Sequence, residues 1–367
     1  MKIGVLTFHR ATNYGAILQA YALVQYLKKQ GHDVKVVDYK PHGMGSLFAS
    51  VNVSGIFRKI KRIVLNIIML PSLKRRFEKR KMFWNYIHNI LPLTEIIVDS
   101  ESIPDMDAFI VGSDQVWSVC FTSGIDKFYW GLFDRKGARM ISYAASAAEN
   151  MSESFYSTEN AKLLDSFNYI SVREDELQNY LQKELPNKDI VKVLDPTLMA
   201  GVEYFEELIK NEACYKTPYL LIYQVIRSKD SLIQEYAKSI ACHNNWDIVE
   251  IKDSRLIVTS NGKVSVLKGL VNPSQYVSLF KHAEFIITTS FHGTAFSLLF
   301  NRPFNVVSVS EEVDSRAKDI LNQIDLGTRL VALPMQIDQT VIDWVCVNEQ
   351  LSKLRIPSRE FLKSSLL

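Results

Sequence analysis

Residues 285–304 read FIITTSFHGTAFSLLFNRPF, and the pattern within them changes twice. Phe285-Ile286-Ile287-Thr288 is a short apolar, β-branched run of the kind a buried parallel strand requires. Ser290-Phe291-His292-Gly293 breaks that run. From Thr294 the spacing of Ala295, Leu298 and Leu299 predicts a helix, which Asn301-Arg302-Pro303 ends. His292 is therefore expected on a tight strand-to-helix turn. There backbone N–H groups are unpaired, the helix dipole favours an anion, and Gly293 admits a close ligand. A lone histidine is more often structural, so it is the position that makes His292 a candidate for proton transfer.

The same grammar opens the chain. Lys2 to Phe8 reads as a buried strand, His9 to Gly15 as a polar loop, Ala16 to Gln30 as a helix and His32 to Tyr39 as a second strand. This is a βαβ unit, which demands a parallel pair and a right-handed crossover. Its first loop lies at the carboxyl edge of the sheet, so Arg10 and Asn13 are candidate phosphate or sugar contacts, or plain surface residues. Neither GxGxxG nor GxxxxGK is present, which removes the warrant for a dinucleotide or P-loop nucleotide. Strands are also expected at 108–112, 139–144, 169–173 and 190–194. Their ends bring Arg10, Asp114, Ser146, Arg173 and Asp195 to one edge, which suggests a cleft. Asp114 reads equally as a cap, Asp195 before Pro196 reads as a turn starter, and Arg173 is a fork suited to phosphate or carboxylate.

After Thr197 the pattern restarts, with strands at 218–225, 247–251, 285–288 and 304–309 and helices at 230–243 and 272–282. The fold class is thus α/β, with two Rossmann-like domains facing across a cleft: residues 1–198 and 199–340, each with its own core. A helical segment, 341–367, is expected to return to the first domain.

Inside the first domain, at about residues 55–90, sits a shift in composition. From Phe57 to Lys81 there are ten Lys or Arg against the single acidic Glu78, interleaved with apolar residues such as Ile60, Ile63 and Ile67. Pro71 is expected to interrupt the helix. A basic apolar helix of this kind can lie in a membrane interface against anionic headgroups, and the alternative is a helix hairpin packed on its own domain. The overall charge of +3 among 367 residues does not argue for nucleic acid, and no aromatic platform accompanies the basic run. Cys120, Cys214, Cys242 and Cys346 are scattered without a CxxC pair, as in a reducing cytoplasm and without a structural zinc site. No long apolar run marks a signal peptide or a membrane span. The expected location is cytoplasmic, peripheral on the inner face of the plasma membrane.

Five segments taken in order resemble the polysaccharide pyruvyl transferase family: Phe8-His9-Arg10 through Asn13-Tyr14-Gly15-Ala16, Gly112 to Trp117, Ser171-Val172-Arg173-Glu174, Asp195-Pro196-Thr197 and Ser290 to Thr294. The resemblance implies a two-domain fold like that of the GT-B glycosyltransferases. It also implies transfer of a pyruvyl group from phosphoenolpyruvate to two hydroxyls of a sugar, forming a cyclic ketal, in exopolysaccharide, capsule or cell-wall glycan synthesis. It makes His292 the leading catalytic candidate, with Asp114 as a possible partner, and Arg173 a contact for the donor phosphate or carboxylate. Arg10, Asn13, Gly15, Ser290, Gly293 and Thr294 join the expected substrate contacts. No metal or cofactor is implied beyond phosphoenolpyruvate as donor substrate. The acceptor is expected to be a polyprenyl-diphosphate-linked oligosaccharide, and no nucleic acid partner is expected. Many relatives carry arginine where this chain has Ser290, and Arg10, Arg302 and Arg316 are the candidates to supply that charge instead. That departure keeps a glycosyltransferase using a nucleotide sugar as an alternative, beside a non-catalytic glycan- or lipid-binding module.

Overall fold

The computed structural model describes residues 1–40, 56–97, 102–122, 124–147, 158–212, 215–332, 334 and 340–367, with the course of the chain alone for 56–72, 120–121, 158 and 311–313. The first half comprises β1 (Lys2–Leu6), α1 (Tyr14–Lys29), β2 (Asp33–Tyr39), α2 (Ile56–Ile90), β3 (Leu93–Ile97), β4 (Ala108–Val111), α3 (Val119–Thr122), β5 (Arg139–Ala145), α4 (Thr158–Leu163), β6 (Tyr169–Val172), α5 (Asp175–Glu184) and β7 (Ile190–Lys192). Two helices, α6 (Pro196–Ala200) and α7 (Val202–Ile209), lead into the second half. It comprises β8 (Tyr219–Tyr223), α8 (Asp230–Asn244), β9 (Asp247–Lys252), β10 (Arg255–Ser260), β11 (Lys263–Val266), α9 (Pro273–His282), β12 (Phe285–Thr288), α10 (Phe291–Leu299), β13 (Phe304–Val307), α11 (Glu311–Gln323) and β14 (Leu330–Val331), closed by α12 (Trp344–Leu366).

The first sheet runs β3-β2-β1-β4-β5-β6-β7 with every pairing parallel. Its order reverses between β1 and β4, which opens a crevice at their carboxyl ends. The second runs β11-β10-β9-β8-β12-β13-β14, parallel from β9 to β14. It reverses between β8 and β12, so His292 follows the strand at that switch. The doubly wound α/β halves expected from the strand–helix alternation are present in both sheets.

The edge strands β3 and β14 were not expected from the sequence, and three further local features differ from the expectation. The antiparallel β10–β11 hairpin extends the second sheet where no strand was expected. Its signal was Asn261-Gly262, whose φ values of 49° and 74° suit a tight two-residue hairpin turn. Secondly, α2 is one continuous 35-residue helix through Pro71, not an interrupted segment or a hairpin. Finally, α10 begins at Phe291 rather than Thr294, because Ser290 is its N-cap and accepts from the Gly293 amide at 3.3 Å.

The halves do not have wholly separate cores. One buried cluster runs from Ile3 and Ile17 through Tyr219 and Phe296 to Leu362 of α12. Only the other faces of the sheets have private clusters, around Trp117 and Phe167 in the first half and Ile233 and Val307 in the second. The sharing has a plain cause: helices on the facing sides pack on each other. Tyr14 of α1 stacks on Tyr276 of α9 with ring centroids 4.4 Å apart, and its hydroxyl donates to the Val271 carbonyl at 2.8 Å. Phe205 of α7 meets Phe296 of α10 at 5.0 Å. Helix α12 then crosses back to the first half. The Leu194 amide donates to Ser358 Oγ at 2.8 Å, and Arg359 donates to the Met199 and Ala200 carbonyls at 3.0 and 2.9 Å. No helix among the described residues is long and apolar enough to cross a membrane.

Candidate functional site

Asp195 is the N-cap of α6, its Oδ1 accepting from the Thr197 amide at 2.9 Å. That use of one oxygen leaves the other pointing between the halves. Asp195 Oδ2 accepts from Arg173 Nη1 at 3.2 Å and from Ser113 Oγ at 3.3 Å, and lies 3.9 Å from His292 Nε2. Arg173 follows β6 and donates from Nε to Glu174 at 3.1 Å. Its remaining Nη2 is buried without a hydrogen-bond partner, and so is His292 Nε2. Buried donors and acceptors are normally paired, so two orphans side by side mark a place for a ligand.

His292 reaches this cluster because α10 starts early and because Gly15 stands opposite. A Cβ built on Gly15 would lie only 2.6 Å from the imidazole Cγ. The start of α1 in one half and the start of α10 in the other therefore meet through a residue with no side chain. Burial holds the His292 pKa down, from 6.5 to about 4; Asp195 opposes that shift, while Arg173 and Arg316 add to it. The imidazole is thus neutral near pH 7, a form that accepts a proton. Asp114 shifts the opposite way: desolvation raises its pKa against the pull of Arg173 and Arg316. Two titratable groups displaced in opposite directions have the makings of an acid–base pair.

A cavity of about 540 Å³ adjoins the cluster, bounded by the 173–177 and 192–198 segments, Phe291, α11 and the middle of α12. Arg173 and Arg316 lie over the Phe291 ring, 5.4 and 5.9 Å from its centroid. Lys192 spans the halves beside it, donating to Asp175 at 2.6 Å and to Asp319 of α11 at 2.9 Å. Among the described residues, no group of three or more His, Cys, Asp or Glu is placed to hold a metal ion.

The candidates named from sequence separate into two sets. Arg173, Asp195, His292 and Asp114 come together, and Gly15 is their close neighbour. Arg10 does not line the cavity: Asp38 holds it by two hydrogen bonds of 2.7 and 2.8 Å, and it lies 4.3 Å over Trp84. Asn13 caps α1, accepting from the Gly15 amide at 2.8 Å. Ser290 caps α10, and the buried Thr294 hydroxyl donates to the Ser290 carbonyl at 3.1 Å. The space a side chain would take at Gly293 is filled by Thr288, so this glycine serves helix–strand contact rather than opening a ligand path. Of the three arginines offered to replace the cation missing at Ser290, only Arg316 lines the cavity. Lys192 and Phe291 were not singled out in sequence. Nothing local marks them, because each owes its place to a partner from the other half, Asp319 for Lys192 and Arg173 for Phe291.

The geometry gathers two guanidiniums, a carboxylate and a buried imidazole between two Rossmann-like halves. A family model described as polysaccharide pyruvyl transferase matches residues 13–311. The chain belongs to that family of transferases, which acts in polysaccharide biosynthesis. No curated protein matches the chain. Among solved structures it is similar to UDP-GlcNAc 2-epimerase from Neisseria meningitidis bound to UDP-GlcNAc, at 12% identity and TM-score 0.48, covering 100% of this chain and 94% of that one. It is also similar to the UDP-GlcNAc 2-epimerase from Methanocaldococcus jannaschii, at 12% identity and TM-score 0.47 over 96% of this chain and 92% of that one. CalG4, the calicheamicin glycosyltransferase, is similar at 12% identity and TM-score 0.37 over 100% and 94%.

Proposed function

We propose that the chain is a ketal pyruvyltransferase, moving the pyruvyl group of phosphoenolpyruvate onto two hydroxyls of a sugar. The observation that carries the reading is the pair of guanidiniums, Arg173 and Arg316, over the Phe291 ring beside an imidazole held neutral. Phosphoenolpyruvate carries a phosphate and a carboxylate, and two cations at one site answer two anionic groups.

The chemistry requires a proton at the vinyl methylene, a base for each attacking hydroxyl and stabilisation of the cationic centre between them. Asp114, with its pKa raised, supplies the proton to the methylene carbon, which becomes the methyl group. The first sugar hydroxyl attacks the adjacent carbon and gives its proton to His292. The bond from that carbon to the phosphate oxygen then breaks, the phosphate leaving on Arg173 and Arg316 and taking up the proton held by His292. The second hydroxyl closes the ketal, and its proton returns to Asp114. One phosphoenolpyruvate and one diol become one ketal and one phosphate. Asp195 orients Arg173 and faces the imidazole that becomes cationic during the reaction. The acceptor in this reading is a lipid-linked oligosaccharide, entering from the side of the cavity.

Thermal unfolding with phosphoenolpyruvate against a panel of nucleotide sugars tests the donor. Saturating phosphoenolpyruvate stabilises by about 2.7 kcal/mol at hundredfold excess over its dissociation constant. The shift is expected to vanish in Arg173→Ala. A shift with a nucleotide sugar alone would replace this reading with glycosyl transfer.

A further inference from the structure

Helix α2 packs on the rest of the molecule at its root. Phe83 and Ile87 are buried, Phe83 lies 5.1 Å from Tyr14, and Tyr86 hydrogen-bonds Ser274 of the second half. Tyr14 is followed by the Gly15 that touches His292, so this end of the helix is anchored one residue from the imidazole contact. The preceding turns are bare. Residues 73–78 are exposed in succession, as are Arg80 and Lys81, and Phe77 is 69% exposed. Six consecutive residues cover every side of an α-helix, so this stretch is not packed on its own domain. Lys74, Arg75, Arg76, Arg80 and Lys81 face one acid, Glu78, which Lys74 approaches at 4.0 Å. The same continuous helix extends upstream through a sequence containing Arg58, Lys59, Lys61 and Arg62.

The geometry points to α2 as a docking helix for an anionic lipid bilayer, with residues 73–81 seated on the headgroups and Phe77 entering the interface. Dense positive charge alone would serve any polyanion. An exposed Phe77 with Leu73 one turn before it adds the apolar contact that a bilayer rewards and a phosphate backbone does not. The anchor at Phe83 and Tyr14 then ties the docked helix to the start of α1, where Gly15 meets His292. This inference goes beyond the transfer reaction and does not depend on the donor.

Vesicle co-sedimentation tests it without donor or acceptor, so its failure is separate from failure of the pyruvyl transfer reading. The full chain is mixed with phosphatidylcholine vesicles, with and without phosphatidylglycerol, at low and at physiological salt. Binding is expected only to the anionic vesicles and is expected to weaken with salt. Reversing Lys74, Arg75 and Arg76 to Glu is expected to lower partitioning at least about tenfold, and Phe77→Ser to lower it less. These positions are exposed, so thermal unfolding should be unchanged in both variants. Equal binding to neutral vesicles, or undiminished binding of the triple reversal, would overturn the inference. Retention on RNA with no sedimentation on anionic vesicles would also overturn it, and would assign the helix to a nucleic acid.

Discussion

Replacing Gly15 by alanine tests the contact that joins the halves at the site. The backbone at Gly15 lies outside the left-handed region, so alanine is free of backbone strain there. On helix propensity alone the change would stabilise by up to about 1 kcal/mol. The added methyl, however, would sit 2.5 Å from His292 Cε1 and 2.6 Å from Cγ. Carbon atoms rest about 3.5–4.0 Å apart, so ring or methyl must retreat by roughly 1 Å. Overpacking of this kind costs about 1–3 kcal/mol, and the net effect is a loss of about 1–2 kcal/mol. In His292→Ala the obstacle is gone, and Gly15→Ala should then be neutral or slightly stabilising. The two changes therefore couple by about 2 kcal/mol, within the range for residues in contact. Urea unfolding of the four proteins measures the coupling, and the shared core should give one transition for both halves. Activity offers a second readout, since about 1 Å of displacement at a catalytic group can cost a hundredfold in rate. The reasoning is refuted if Gly15→Ala loses stability equally with and without the His292 ring, or loses none at all.

Stability should also depend on pH through His292. Its folded pKa lies below its unfolded value, so the unfolded chain binds the proton first and stability falls as pH drops from 6.5 to about 4. The loss approaches about 3 kcal/mol, little screened because the side chain is only 14% exposed. Chemical denaturation across that window should show a shallower slope in His292→Gln, and an unchanged slope would exclude His292 as the source. Asp195→Asn should destabilise by about 3–5 kcal/mol, because it leaves the Arg173 charge buried beside a neutral partner. A shift in urea midpoint that amounts to less than about 1 kcal/mol would show that Glu174 compensates alone. Ending the chain at Asp343 removes the buried Leu351, Phe361, Leu362 and Leu366, each worth about 1.5–3 kcal/mol. Their sum is comparable to the whole stability of a domain, so insoluble or protease-sensitive protein is expected; a soluble, cooperative fold would refute the structural role of α12.

The elements themselves were written locally. The runs at Lys2–Leu6, Ala108–Val111 and Phe285–Thr288 are apolar and β-branched because both faces of a parallel sheet are covered, and the helices between them carry their own caps and periodicity. His292, Arg173 and Asp114 were legible for the same reason: each follows a strand whose end the sequence marks. Short-range signals were also present but unread at Asn261-Gly262, which announces the β10–β11 hairpin, and at Ser290, which caps α10 and moves His292 into its first turn. Other features had no local signal. Asp195 read as a turn starter, and it is one, but its second oxygen meets Arg173 and faces His292 only when the halves close. Arg10 read as a cleft residue until Asp38, on the neighbouring strand, held it. Choosing Arg316 over Arg10 and Arg302, setting Gly15 against His292 and bridging the halves through Lys192 all require elements far apart in sequence to meet. Side-chain periodicity fixes what one segment buries, whereas the ligand-facing geometry arises where two segments are pressed together, and only the tertiary structure decides which two.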